Sequence, residues 1–123
     1  MDSAAPFRTN RAPERLQHRL VNFAVVVCET VADLPSGKAM ERYGDQVIRS
    51  AGSVAANYAE ARAAESRRDF IHKMQICLKE LRETSVWMEI IGRLTDVEFT
   101  SALADECEEL TRIFVTSIKT ARR

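Results

Sequence analysis

A chain of 123 residues with 46% hydrophobic and 29% charged residues is sized for one domain around a single core, and its four Gly and three Pro argue against a loop-rich or all-β fold. Eighteen Lys and Arg balance eighteen Asp and Glu, which excludes a global field that would draw the chain to phosphate backbones or anionic lipid. Charge is uneven, however: residues 1–73 carry eleven basic and nine acidic groups, residues 74–118 carry four and nine, and residues 119–123 add three basic ones. A polyanion site would therefore have to be a local patch.

Residues 1–12 hold Pro6, Asn10 and three charges without periodicity, and read as a flexible N-terminal arm. Pro13 suits the first turn of a helix, where its missing N–H costs nothing. Leu16, Leu20, Phe23, Val27, Val31 and Leu34 then recur at steps of three and four, so the spacing predicts a first helix from about Pro13 to Asp33. Leu34, Pro35, Ser36 and Gly37 should end it.

A second helix is expected between Met40 and Ala64, with Tyr43, Val47, Ala51, Val54, Tyr58 and Ala61 as its stripe. Small residues dominate it, so a neighbouring helix can come close. Gly52 in its middle costs roughly 1 kcal/mol against Ala, which either a close backbone approach or chance would explain. Ser66 is a good N-cap with Asp69 three residues on, in the manner of a capping box. The third helix carries Phe70, Met74, Cys77, Leu81, Thr84, Met88 and Ile91 and should end with Gly92 as its C-cap. Thr95, Asp96, Val97 and Glu98 form a capping-box signature ahead of a fourth stripe of Phe99, Leu103, Cys107, Leu110, Phe114 and Ile118. Residues 121–123 make a basic C-terminal end, leaving residues 13–120 as the folded body.

Four helices with short connections imply an all-α, up-down-up-down antiparallel four-helix bundle. Ile76, Trp87 and Ile90 fall outside the main stripe of the third helix, and Val21, Val25 and Cys28 outside that of the first. Such surplus apolar width points to subunit contacts, so the chain is expected to associate with itself. Cys28, Cys77 and Cys107 are odd in number and embedded in apolar stretches, which fits buried thiols in a reducing compartment and a cytoplasmic location. No apolar run is long enough to cross a membrane, so no membrane partner is expected.

Ser53, Asn57 and Glu60 lie at steps of four and three on one side of a helix, as do Glu80 and Glu83 on the next. Such a set could be a small-molecule or metal site. The preferred reading is a structural network that fixes helix register or a subunit interface, with Arg49 and Arg82 as partners for the carboxylates. Only Asp69, Phe70, Ile71 and His72 resemble the Glu-x-x-His step of a di-iron bundle, so no metal, cofactor or catalytic residue is assigned. The candidates for nucleic-acid contact are Arg62, Arg67, Arg68 and Lys73 around the central break, with Arg8, Arg11, Arg15 and Arg19 near one end and Lys119, Arg122 and Arg123 at the tail.

The run from Val47 to Ala61, then Ser66 to Phe70, then Leu78 to Thr84 with Trp87, resembles the bacterial four-helix-bundle family that includes proteins encoded in intervening sequences of 23S ribosomal RNA genes. The accessory protein of diversity-generating retroelements is similar to that family. Ser53, Asn57, Ala59, Glu60, Phe70, Glu80 and Glu83 match its pattern, whereas Ala55 stands where the family usually has Pro and Ala61 where it usually has Gly. A smoother helix is therefore expected there. The resemblance implies a homo-pentameric ring and no known catalytic activity or small-molecule ligand. It attaches RNA or DNA binding to the retroelement branch, whose basicity this neutral chain does not share.

Overall fold

The computed structural model describes residues 12–96 and 101–123. The arm residues 1–11, with Arg8 and Arg11, lie outside that description, as do Val97, Glu98 and Phe99. Four helices make up the rest: α1 (Ala12–Ala32), α2 (Lys38–Arg62), α3 (Arg67–Leu94) and α4 (Ser101–Ala121). Each packs on its neighbours in sequence, α2 against α3 most extensively, and α1 meets α4 to close the square. This is the up-down-up-down four-helix bundle that the short connections predict.

The core is assembled from the four stripes. Leu20, Phe23 and Val27 come from α1; Val47, Ala51 and Val54 from α2; Met74, Cys77, Leu81 and Ile91 from α3; Leu103, Leu110, Phe114 and Ile118 from α4. Tyr58 and Phe114 meet edge to face with ring centroids 5.8 Å apart, joining the diagonal pair α2 and α4 through the centre. Such a pair adds about 0.5–1.5 kcal/mol beyond the area it buries. Tyr43 and Trp87 pack at 5.9 Å across the α2–α3 seam.

Local chemistry sets most helix ends. Gly37 precedes α2 with φ 138°, a left-handed backbone that favours glycine, and its carbonyl accepts from the Glu41 N–H at 3.0 Å. Ser66 caps α3 as its sequence predicts, its hydroxyl oxygen accepting from the Asp69 N–H at 3.0 Å. Losing such a cap costs about 1 kcal/mol. Gly92 does not end α3, which continues to Leu94; the C-cap is Thr95, whose hydroxyl donates to the Ile91 carbonyl at 2.9 Å. Gly92 keeps helical backbone because nothing crowds it and no sharp reversal falls there.

For Gly52 the structure excludes the close approach. A Cβ added there would meet nothing within 4 Å, whereas one added at Gly44 would stand 3.0 Å from a Val31 methyl. Gly44 is where α1 and α2 come close. The helix is smooth through Ala55 and Ala61, as their departure from Pro and Gly implies.

Candidate functional site

The polar motif is spread along the α2–α3 seam rather than gathered in a cavity. Asn57 Nδ2 donates to the Ser53 carbonyl of its own helix at 2.9 Å. Glu60 pairs with Lys73 Nζ at 2.7 Å, and that hydrogen bond raises the lysine's pKa. Arg49 reaches Glu83 at 3.0 Å and Glu80 at 3.5 Å, so Arg49 is the partner its chemistry suggests. Arg82 makes neither of these contacts. The half-exposed Arg49 pairs contribute under about 1 kcal/mol each, and all of these pairs straddle the α2–α3 seam.

Beneath this strap lies a polar contact that the sequence hid. Ser50 and Thr84 are fully buried with their hydroxyl oxygens 2.7 Å apart, and Thr84 Oγ1 donates to the Glu80 carbonyl at 2.8 Å. The signal was a Ser and a Thr each standing at core spacing. Gln17 supplies another bridge, its Nε2 donating to the Ala55 carbonyl at 3.0 Å, while its Oε1 and Trp87 Nε1 are buried without a partner among the described residues.

Cys77 and Cys107 are buried, and each thiol donates weakly at 3.6 Å to a carbonyl of the preceding helix, Val54 and Leu81 respectively. Burial pushes Cys77 up to about 12 and Cys107 up to about 11, so neither is poised as a nucleophile. Cys28 departs from expectation and is exposed. It directly follows the buried Val27, and consecutive helix positions diverge by roughly 100°. Among the described residues, no group of three or more His, Cys, Asp and Glu is placed to hold a metal ion. None of the described helices is long and apolar enough to cross a membrane.

Two apolar areas remain on the outside. The Gln17–Ala55 bond and the Val31–Gly44 approach set the α1–α2 register, which places Val21 level with Gly52 and Val25 level with Ile48. Val21 and Val25 are 47% and 48% exposed, and Ile48 is exposed beside them. On a different helix, α3 exposes Val86 and Leu94, at 52% and 56%.

Topology collects charge at one end. The start of α1, the α2–α3 turn and the end of α4 share a pole, bringing exposed Arg15, Arg62, Arg67, Arg68, Arg122 and Arg123 together. Arg67 Nη1 donates to the Arg123 carbonyl at 3.3 Å, tying the turn to the tail. Lys73 is held by Glu60 instead, and Arg19 is committed to α4 through Glu106 at 2.6 Å and Glu109 at 3.5 Å. The Glu106 hydrogen bond raises the Arg19 pKa against the opposing effect of burial.

The chain matches the 23S rRNA-intervening sequence protein family over residues 16–116. It is also similar to the crystal structure of a protein of unknown function from the S23 ribosomal protein family of Bacteroides thetaiotaomicron. The two are 28% identical with a TM-score of 0.76, over 87% of this chain and 97% of that one. No curated protein matches the chain at a significant level.

Proposed function

Because the chain belongs to the 23S rRNA-intervening sequence protein family, we propose that it works as a non-enzymatic scaffold or adaptor assembled from identical copies into a homo-pentameric ring. The observation that carries this reading is the presence of two separate exposed apolar areas, Val21, Val25 and Ile48 on the α1–α2 face and Val86 and Leu94 on α3. A closed dimer needs one self-complementary patch, whereas a ring needs two different surfaces, one for each neighbour. The count of five is the one the family resemblance implies. A ring would give each copy a fixed orientation, and its work would be to present surface rather than to transform a substrate. Solution mass tests this directly: the expected value is five times the 13.9 kDa protomer, and a monomer at micromolar concentration sinks the reading.

A second reading, an accessory protein that binds RNA or DNA, is favoured by the basic pole. Arg62, Arg67 and Arg68 of the α2–α3 turn converge there with Arg122 and Arg123, and a ring would repeat that patch in every copy. Such binding would weaken steeply with salt. RNA affinity measured at two salt concentrations tests it, and no binding at low salt ends it.

A further inference from the structure

Tyr58 is a buried phenol whose hydroxyl opens to the surface. The residue is only 5% exposed, its ring is fixed against Phe114, and its hydroxyl makes no hydrogen bond among the described residues. Its oxygen is not sealed in the core, so the free donor is open to solvent or a ligand at the surface. Tyr58 reaches the wall of a cleft of about 650 Å³ at the basic pole, between the start of α1, the end of α2 and the start of α3. That volume lies in the range of ligand pockets, roughly 300–1,000 Å³.

The other walls have complementary chemistry. Arg62 and Arg67 both line the cleft, with Glu14 as the acid among the lining residues, so its balance is positive. Arg62 is near enough to Tyr58 that its charge opposes the rise in phenol pKa that burial causes. Ser66 and Arg67 are the cap and first residue of the 28-residue helix α3. Ser66 already satisfies the N–H groups of Asp69 and Phe70, while those of Arg67 and Arg68 have no intrahelical acceptor. Pro13, Ala61, Ala64 and Phe70 make the remaining walls apolar.

We propose that this cleft binds a phosphate monoester, with Arg62 and Arg67 pairing the phosphate, the Tyr58 hydroxyl donating to it, and the apolar walls holding the organic part. Two guanidinium forks, a phenol and two helix-start amides offer more donors than the two oxygens of a carboxylate can use, whereas a terminal phosphate presents three. The same chemistry is found on a free mononucleotide and on the 5′-phosphorylated end of a nucleic-acid strand. The site is defined within one chain and stands apart from the ring reading.

Calorimetric titration of the full chain at low salt with adenosine monophosphate, and with adenosine as control, tests the proposal. The expected result is saturable binding of one monophosphate per chain and no binding of adenosine. Tyr58→Phe removes the hydroxyl alone; it should leave thermal stability unchanged and weaken binding roughly tenfold or more. Arg62→Gln, at an exposed position, should weaken binding at least as much and serves if Tyr58→Phe lowers stability. A short RNA bearing a 5′-phosphate, compared with the same RNA bearing a 5′-hydroxyl, identifies the source: preference for the phosphorylated strand over the mononucleotide points to a strand end, and the reverse to a free ester. Failure of both the monophosphate and the phosphorylated RNA to bind overturns the proposal. So does full-strength binding by a stable Tyr58→Phe or Arg62→Gln variant.

Discussion

Ser50 on α2 and Thr84 on α3 share one hydrogen bond inside the core, and the geometry sets its direction. Thr84 spends its proton on the Glu80 carbonyl at 2.8 Å, so the 2.7 Å contact is filled by the Ser50 proton, whose alternative is the Val47 carbonyl at 3.3 Å. The result is a relay from Ser50 through Thr84 into the backbone of α3. Thr84→Val should cost about 1–2 kcal/mol, because it leaves the Ser50 hydroxyl only the longer bond. Ser50→Ala with Thr84→Val should cost less than the sum of the two single changes, as measured by urea unfolding in a double-mutant cycle.

Arg19 bridges α1 and α4 where the bundle closes. Its two-carboxylate contact bridges the least extensive of the four helix seams, with both main partners about one-third exposed. Arg19→Ala should lower stability by about 0.5–1 kcal/mol at low ionic strength and by less at high salt, where exposed pairs are screened. Amide exchange should quicken first in α1 and α4 rather than along the α2–α3 seam.

Alkaline pH should loosen the core through its thiols. Cys77 and Cys107 titrate near 12 and 11 in the folded chain, above the ordinary thiol value of about 8.5. Their stabilising contribution is therefore complete below about pH 8.5, where both states hold the protons. It falls as pH rises, because the unfolded chain then binds fewer protons than the folded one. Unfolding free energy should be flat in this respect from pH 6 to 8 and drop between pH 9 and 11 at up to about 1.4 kcal/mol per pH unit for each thiol. Cys77→Ala should remove part of that slope, at the expense of a cavity.

Thiol labelling separates the three cysteines and reports on assembly. Cys77 and Cys107 should stay unmodified until the chain unfolds, while Cys28 reacts in the native state. Cys28 lies on the α1 side that carries Val21 and Val25, so a copy docked over that face would shield it. The measurement is the labelling rate of Cys28 against protein concentration. A rate that falls as concentration rises supports docking there, and a constant rate speaks against it.

Gly52 and Gly44 should answer oppositely to alanine. Gly52→Ala adds a methyl in open space and should gain up to about 1 kcal/mol of helix stability, read as a higher unfolding midpoint. Gly44→Ala gains the same propensity but must displace the Val31 methyl, so its net gain should be smaller or negative. A loss of assembly in Gly52→Ala without loss of stability would place a neighbouring copy against that position.

Much of the fold is legible in one dimension because apolar residues at steps of three and four must share a helix face, and the buried sets on all four helices follow those stripes. Ser66 was legible for a similar reason, since a cap acts within four residues. What could not be read depends on register between helices. Nothing local distinguishes Gly44 from Gly52, and only the offset of α1 against α2 decides which of them meets Val31. Gly92 misled because glycine permits a helix end without requiring one. The Tyr58 cleft was illegible for a deeper reason: its walls come from residues 13, 58, 62, 67 and 121, which share no local pattern and meet only after the chain has reversed three times.

An even number of antiparallel helices brings the chain back to the end where it set out. The start of α1 and the end of α4 flank the same arginine-rich pole, so a purification tag or fused domain directly after Arg123 would be anchored beside the Tyr58 cleft. Tagged protein would thus be a poor reagent for ligand titrations. An insertion at the Ser36–Gly37 turn, on the opposite pole, would carry a label while leaving the cleft clear.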